Sequence, residues 1–127
     1  MVTREDVESF LLRLEDGVEE VEPGMWVVGS DGERVVVHYS APLLVLRTKV
    51  LGVPKDERRR AELFEKLLQL NASDLVHGAY GVEEGEVILT DTIELDHLDF
   101  EALQSSVDSL QLALASHLET LTPYREG

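Results

Sequence analysis

The feature that most constrains the fold is a short turn sequence, Asp31-Gly32, which lies between two apolar runs, MWVVG and ERVVVHY. Asp-Gly between alternating apolar residues is a strong signal for a tight, two-residue β-hairpin. Such a turn fixes the register of the two strands, because a slip of one residue would exchange their faces. The predicted pairs are Ser30 with Glu33, Val28 with Val35, and Trp26 with Val37.

This register divides the hairpin into two faces of different chemistry. One face is strongly apolar and is predicted to belong to the core; it carries Trp26, Val28, Val35, Val37 and Tyr39. The other face is mixed and carries Met25, Val27, Arg34, Val36 and His38. We expect Met25, Val27, Val36 and His38 to form a partner-binding or dimer surface, since the register leaves them outside the core. The alternative is that a helix of the same chain covers this face.

Three further runs predict strands. Ser40-Ala41-Pro42 ends the second strand, and LLVLRTKVLG then supplies a third, which completes a three-stranded meander. The runs AYGV and EVILTDTIEL predict a second hairpin, with Glu83-Glu84-Gly85 as its turn. The sequence therefore predicts five main strands.

Apolar residues at helical spacing predict three helices. They lie near residues 4–18, 55–70 and 99–121. The first has Thr3 as its predicted cap, with Asp6 three residues later, and its apolar positions continue to Val18. The second is predicted to end at Asn71. Its predicted buried stripe consists of Ala61, Phe64, Leu67 and Leu68.

The third helix has the clearest start signal, because Asp99 is a good cap and Leu98 and Leu103 are spaced as a hydrophobic staple. Its apolar stripe consists of Leu103, Val107, Leu110, Leu114 and Leu121, with His117 at the edge. Leu112 lies on the opposite side, as Leu12 does in the first helix. The residues expected to be largely buried are Trp26, Val37, Phe64, Leu67, Leu103, Val107, Leu110 and Leu114.

The predicted order of elements is α-β-β-β-α-β-β-α, in which the helices cannot act as crossovers between successive parallel strands. We therefore predict an α+β fold, with a single antiparallel sheet and flanking helices. The 127 residues fit one domain, 1–127, whose core can bury roughly two-thirds of the surface of the unfolded chain.

Composition narrows the functional classes. Eleven basic and twenty-six acidic residues give a net charge of -15, which repels phosphate backbones and anionic membranes. Nucleic acid and membrane are therefore poor partners. The absence of cysteine excludes disulfides and thiolate metal sites. Since MVTREDVESF lacks the pattern of a signal peptide and no apolar run has membrane-spanning length, we expect a cytoplasmic protein.

The best cluster for metal or acid–base chemistry is a single connection that contains Asp91, Asp96, His97 and Asp99. A structural interpretation is stronger, because Asp99 is explained as a cap and loop carboxylates are common in so acidic a chain. The four histidines are scattered and lie in no nucleophile or metal-protease motif. We predict no catalytic residues, no metal ligands and no cofactor.

Arg58-Arg59-Arg60 is the one basic run, and it lies in the first turns of a predicted helix, where positive charge opposes the helix dipole. The simplest interpretation is that these arginines are solvated and pair with Glu57, Glu62 or other acidic neighbours. The alternative is a docking site for an acidic partner or a second subunit.

A set of short motifs in the second half of the chain resembles one known family. They are Pro54 before a charged helix ending Leu67-Leu68-Gln69-Leu70-Asn71, then His77-Gly78-Ala79-Tyr80-Gly81, Glu86-Val87-Ile88-Leu89 and Leu98-Asp99. The chain resembles YbjN-domain proteins, most closely over 54–103 and more loosely to 121. That family is similar to the Tir-chaperone (CesT-like) type III secretion chaperones, which implies a small, acidic, cytosolic, usually dimeric protein without enzymatic activity.

Three functional hypotheses remain. The first is a non-enzymatic, chaperone-like or adaptor domain that binds a protein partner or client and forms a homodimer, as the resemblance implies. The second is an acidic antagonist, such as an immunity protein, whose binding to a basic partner would depend strongly on salt. The third is a small hydrolase, for which the sequence offers no convergent titratable groups.

Overall fold

The structure is a computed structural model that describes residues 2–29 and 34–125. Its main elements, in chain order, are α1 (Arg4–Leu12), β1 (Val18–Glu22), β2 (Met25–Val28), β3 (Val35–Ser40), β4 (Leu43–Gly52), α2 (Glu57–Ser73), β5 (Ala79–Glu83), β6 (Glu86–Glu94) and α3 (Phe100–Leu121). Short 3-10 turns at Leu95–His97 and Thr122–Tyr124 precede and follow α3.

The strands of the described residues form one sheet in the order β1-β2-β3-β4-β6-β5, and every neighbouring pair is antiparallel. This confirms the predicted α+β class and the single antiparallel sheet. Among the described residues the sheet has six strands rather than five, because a short edge strand over Val18–Glu22 was not predicted.

That strand is β1. The predicted helix 4–18 ends at Leu12, and the chain forms a hairpin with β2 through Pro23 and Gly24, whose φ is +79°. Proline followed by a residue of positive φ is typical of a type II turn, so the Glu-Pro-Gly sequence is a hairpin signal as well as a helix breaker. Leu14 lies beyond the helix but is still buried. The buried positions therefore keep helical spacing past Leu12, which explains why the predicted helix is longer than the observed one.

The predicted register of the first hairpin is confirmed. Trp26 pairs with Val37 and Val28 with Val35, and all four residues are buried. The turn Asp31-Gly32 and the pair Ser30–Glu33 lie outside the described residues. Because the pairing on either side agrees with a two-residue connection, the division into two faces holds.

The predicted helix caps of α1 and α3 are also confirmed. Thr3 and Asp6 form a reciprocal capping box, with hydrogen bonds of 2.9 and 3.2 Å, and the bond from the Thr3 backbone holds the pKa of Asp6 below its usual value. The Asp99 carboxylate accepts a 2.7 Å hydrogen bond from the Ala102 backbone. Each cap satisfies amide groups that the first turn of a helix leaves without partners.

The buried stripe of α2 differs from the prediction. It consists of Leu63, Leu67 and Leu70, whereas Phe64 is half-buried and Ala61 and Leu68 are exposed. The segment AELFEKLLQL supports two apolar stripes about 100° apart, and only packing against the rest of the chain selects one of them. The helix also continues past the predicted end at Asn71 to Ser73.

All three helices contribute to a core on one face of the sheet. Of the residues predicted to be buried, Phe64 and Leu114 are half-buried and the others are buried. From the sheet, the core contains Trp26, Val28, Val35, Val37, Leu44, Leu46, Tyr80, Val87 and Leu89. From the helices, it contains Val7, Leu11, Leu63, Leu67, Leu70, Leu103, Val107, Leu110, Ala113 and Leu121.

Candidate functional site

The second face of the sheet, here called the outer face, lies opposite this core. We define it by Met25, Val27, Val36, His38, Val45, Arg47, Lys49 and Ile88. Along each strand these positions alternate with core positions, because successive side chains of a strand point to opposite sides. None of them is buried, which distinguishes the outer face from its counterpart on the helical side.

The structure brings together the four residues predicted as a partner or dimer surface. Met25 pairs with His38 and Val27 with Val36, so that all four occupy adjacent positions on β2 and β3. Met25, Val27 and Val36 are half-buried, and His38 is exposed. The three helices have their buried residues in the core on the other face, so the alternative, in which a helix covers these residues, is not what the described residues show.

The sequence analysis missed the part of the outer face that β4 and β6 supply. Val45 pairs with Thr92 and Lys49 with Ile88, which extends the face beyond the first hairpin. The signal was present in LLVLRTKVLG, where Val45 and Arg47 alternate with the buried Leu44 and Leu46. The local pattern did not show that β4 pairs with β6, because α2 and β5 lie between these two strands in the sequence.

A hollow of about 360 Å³ lies on this face. The apolar part of its lining consists of Met25, Val36, Val45 and Ile88, its acidic part consists of Glu83, Glu84 and Glu86, and His38, Arg47, Thr48 and Lys49 complete it. The acidic residues lie at the tip of the β5–β6 hairpin. Because this tip and Met25 of β2 line the same hollow, the outer face is concave between them.

Two ion pairs hold the tip in this position. Arg47 Nη2 lies 2.7 Å from Glu83 Oε1, and Lys49 Nζ lies 3.3 Å from Glu86 Oε2. The first pair is short and only partly exposed, whereas the Lys49 side chain is mostly in solvent, so we expect Arg47–Glu83 to contribute more to positioning the hairpin. The turn itself is formed by Glu84 and Gly85, which both have positive φ, as a tight hairpin requires.

At the opposite edge of the sheet, β1 carries further carboxylates. Glu19 pairs with Val27 and Glu22 with Met25, which places both glutamates on the outer face. Apolar residues in the middle of the face are therefore bordered by acidic residues at both edges. This arrangement can bind a partner through apolar contacts at the centre and through charge at the rim.

The cluster considered for metal binding is used for structure. Asp99 caps α3, the carboxylate of Asp91 accepts a 2.6 Å hydrogen bond from the Ser106 hydroxyl, and His97 lies 3.3 Å from Glu94. Within residues 2–29 and 34–125, no group of three or more histidine or acidic side chains is arranged to hold a metal ion.

His117 belongs to a buried polar cluster. Its Nδ1 atom lies 2.7 Å from the Tyr80 hydroxyl, and its Nε2 atom lies 3.5 Å from the Asp74 carboxylate. Burial raises the pKa of Tyr80 to about 12. The Asn71 side chain accepts a hydrogen bond of 2.7 Å from the Tyr80 amide and donates one of 3.2 Å to its carbonyl. These bonds tie α2, β5 and α3 together, which is a structural role.

The basic run at the start of α2 also has structural contacts. Arg59 donates a 2.5 Å hydrogen bond to the carbonyl of Pro123, just beyond the C-terminal end of α3, where positive charge is favourable. Arg58 lies 3.6 Å from Glu62, as the simplest interpretation predicted. Arg59 therefore connects two helices through a backbone group.

Fold and face together define a class of protein: an α+β domain with helices on one side of an antiparallel sheet and a concave, partly apolar surface on the other. The family model CesT_Tir_1, which describes type III secretion chaperones, matches residues 1–126. The chain belongs to this family. The comparison with curated proteins found no match.

Solved structures with the same fold include a chain of a type III secretion system complex, a chain of a chaperone–effector complex and a YbjN protein. A chain of the heterodimeric ExoU–SpcU complex of Pseudomonas aeruginosa is 17% identical with a TM-score of 0.71, and the match covers 94% of this chain and 98% of that chain. YbjN from E. coli is 9% identical with a TM-score of 0.68, and the match covers 94% and 93%. A chain of the HopA1–SchA chaperone–effector complex is 16% identical with a TM-score of 0.59 and full coverage of both chains.

Among the described residues, no helix is both long enough and apolar enough to cross a lipid bilayer.

Proposed function

We propose that this chain is a non-enzymatic protein-binding domain of the chaperone or adaptor type, and that its outer face is the surface that binds. The observation that carries the proposal is the outer face itself, where Met25, Val27 and Val36 lie side by side without a covering helix in the described residues. Family membership supports the class of function. The family match over 1–126 also supports a single domain, 1–127.

The outer face has the chemistry of a binding surface. Covering apolar side chains releases about 25 cal/mol per Å², so several such residues could supply a few kcal/mol before the costs of association are subtracted. The acidic border would stay at the solvated rim of the contact, where charge affects specificity and the rate of association more than affinity.

A second copy of the chain is one occupant of the outer face, and a different protein is the other. The homodimer is proposed because the resemblance to YbjN-domain proteins and secretion chaperones implies it. Neither occupant requires a catalytic residue, a metal or a cofactor. A cytoplasmic location is part of the same proposal and rests on the family.

The experiment compares Val36→Asp and Val27→Asp with a control, Leu112→Asp. Leu112 is 68% exposed on α3, on the helical side of the molecule, so its substitution introduces the same charge away from the outer face. Circular dichroism measures folding, and light scattering measures the mass at high micromolar concentration. We expect both outer-face variants to fold normally and to associate less than the wild type and Leu112→Asp.

The outcomes separate the possibilities. Unfolding of both outer-face variants would place this face in the core of a single subunit, against the proposal. Normal folding with unchanged association would exclude the outer face as the dimer interface. A wild-type monomer at high micromolar concentration would remove the homodimer and leave a different protein as the occupant.

The net charge of -15 favours a second candidate, an acidic antagonist of a basic partner. Exposed charge pairs weaken as salt screens them, whereas apolar contacts do not. For a purified partner, a large loss of affinity between low and high salt would favour the antagonist, and a small loss would favour the chaperone or adaptor.

A further inference from the structure

The hollow on the outer face combines an apolar floor with an acidic wall. The floor consists of Met25, Val36, Val45 and Ile88, and the wall is the tip of the β5–β6 hairpin. A partner side chain that enters the hollow therefore meets both aliphatic groups and carboxylates. Long basic side chains suit both, because an aliphatic stem carries a charged head.

In the part of the chain that the structure describes, two of the three carboxylates in the hollow form ion pairs within the chain, and the third does not. Arg47 and Lys49 are neutralised within the chain by Glu83 and Glu86, at 2.7 and 3.3 Å. Glu84 forms no ion pair among the described residues, although it lines the same hollow. The wall consequently retains one carboxylate that a cation from outside the chain can neutralise.

Glu84 also has a backbone conformation that suits glycine better. Its φ is +50°, which non-glycine residues adopt at some cost, and the following Gly85 has a φ of +78°. A glutamate at this position is therefore not explained by the turn alone. Glu84 lines the hollow from the tip of the hairpin.

We propose that the hollow binds a partner segment in which a lysine or arginine is next to apolar residues. This inference rests on the proposed function and specifies the chemistry of the partner. The apolar neighbours would pack on Val36, Val45 and Ile88, and the basic side chain would reach Glu84. Glu19 and Glu22 at the other edge of the face favour further basic residues in the same segment.

A partner of this chemistry fits the outer face better than a second copy of the chain does. A second copy would bring the same acidic wall and the same net charge of -15 to the contact. Its outer-face cations are already paired with its own glutamates. Charge therefore opposes contact between two such faces, which only their apolar residues favour, whereas charge and apolar contact both favour a basic segment.

The test uses two synthetic peptides that share the apolar centre Leu-Val-Leu and differ in their flanks, which are lysines in one and glutamates in the other. Fluorescence anisotropy measures their binding to the full chain at low salt. We expect the lysine peptide to bind at least ~10-fold more tightly than the glutamate peptide, through complementary charge. Val36→Asp should abolish the binding that depends on the apolar centre.

Glu84→Gln and Glu119→Gln form the matched pair of variants. Both remove one negative charge, but Glu119 lies exposed on α3, away from the hollow. We expect Glu84→Gln to weaken binding of the lysine peptide about three- to fivefold, the range of an exposed ion pair, and Glu119→Gln to change it much less. Glu84→Gly should weaken binding equally without loss of fold stability, because glycine tolerates the positive φ.

Equal binding of the two peptides, no binding of either, or equal effects of Glu84→Gln and Glu119→Gln would each overturn the inference. Binding of the lysine peptide that survives Val36→Asp would also overturn it, because the site would lie elsewhere. The proposed function fails separately, if Val27→Asp and Val36→Asp both unfold in the absence of any peptide, because the outer face would then belong to the core of the subunit.

Discussion

At Gly78 the structure leaves no room for a side chain. Its φ is +81°, and a Cβ atom there would lie 2.6 Å from the carbonyl oxygen of Thr90 and 3.0 Å from the side chain of Leu110. The glycine therefore allows β5 to enter the sheet beside β6 while α3 packs above it. Two residues later, Tyr80 makes its contacts with Asn71 and His117. These contacts explain Gly78 and Tyr80 in the motif His77-Gly78-Ala79-Tyr80-Gly81.

Gly78→Ala should lower the free energy of unfolding by about 2–3 kcal/mol, from backbone strain together with the clash against β6. Gly85→Ala is the control, since Gly85 has a similar φ of +78° but nothing within 4 Å of the added Cβ. It should cost about 1 kcal/mol, from strain alone. Urea denaturation measures both values, and an equal loss in the two variants would mean that the close approach to Thr90 is absent.

Tyr80 gives the fold a sensitivity to alkaline pH. Its pKa is raised by burial from 10.0 to about 12, so the folded state resists ionisation that the unfolded state undergoes. The stabilisation is complete below pH 10 and is lost as the pH rises toward 12, by up to about 1.4 kcal/mol per pH unit.

Tyr80→Phe should remove this part of the pH dependence and should cost about 1 kcal/mol at neutral pH, because His117 Nδ1 loses its partner. Denaturant unfolding at a series of pH values from 8 to 11 measures the difference between wild type and variant. The difference should shrink above pH 10. Parallel curves would contradict the assigned burial of the hydroxyl.

At the scale of elements, the sequence correctly predicted the features that depend on residues close together in the chain. The caps Thr3 and Asp99 and the register of Trp26 with Val37 depend on neighbouring residues, and all were predicted correctly. The strand β1 was missed because its sequence, VEEVE, has no apolar alternation that indicates a buried face. It is a strand because it pairs with β2 across the Pro23-Gly24 turn, so that the pairing and not its own apolar pattern makes it extended.

The phase of α2 was predicted wrongly for a related reason. Leu63 and Leu68 belong to two alternative stripes of similar apolarity, and the selection of Leu63 depends on contacts with distant residues. Leu63 is fully buried, whereas Leu68 is 68% exposed.

Replacing each of these leucines by alanine tests the phase directly. Leu63→Ala should cost about 2–4 kcal/mol of unfolding free energy, through lost burial and a cavity, whereas Leu68→Ala should change it by less than about 0.5 kcal/mol. Chemical denaturation followed by circular dichroism measures both. A larger loss of unfolding free energy in Leu68→Ala than in Leu63→Ala would instead support a buried stripe of Ala61, Phe64, Leu67 and Leu68.

At the scale of the whole molecule, the order of elements predicted the fold class and the hairpin register predicted the core face, but neither determined whether a helix also covers the outer face. That arrangement depends on how α1, α2 and α3 pack together, and no local pattern encodes it. The four predicted surface residues, Met25, Val27, Val36 and His38, are consequently a correct set of neighbours whose role in binding stays a prediction. Val45 and Ile88 joined them only through the pairing of β4 with β6.

The central claim is that the outer face binds a protein. Site-specific photo-crosslinking in the native cell tests it most directly, with benzoylphenylalanine placed at position 36 on the outer face or at position 112 on α3. Both positions accept a large side chain at the surface, since Val36 is half-buried and Leu112 is 68% exposed. The account predicts a discrete protein adduct from position 36 that is absent from position 112. No adduct from position 36, or the same adducts from both positions, would contradict it.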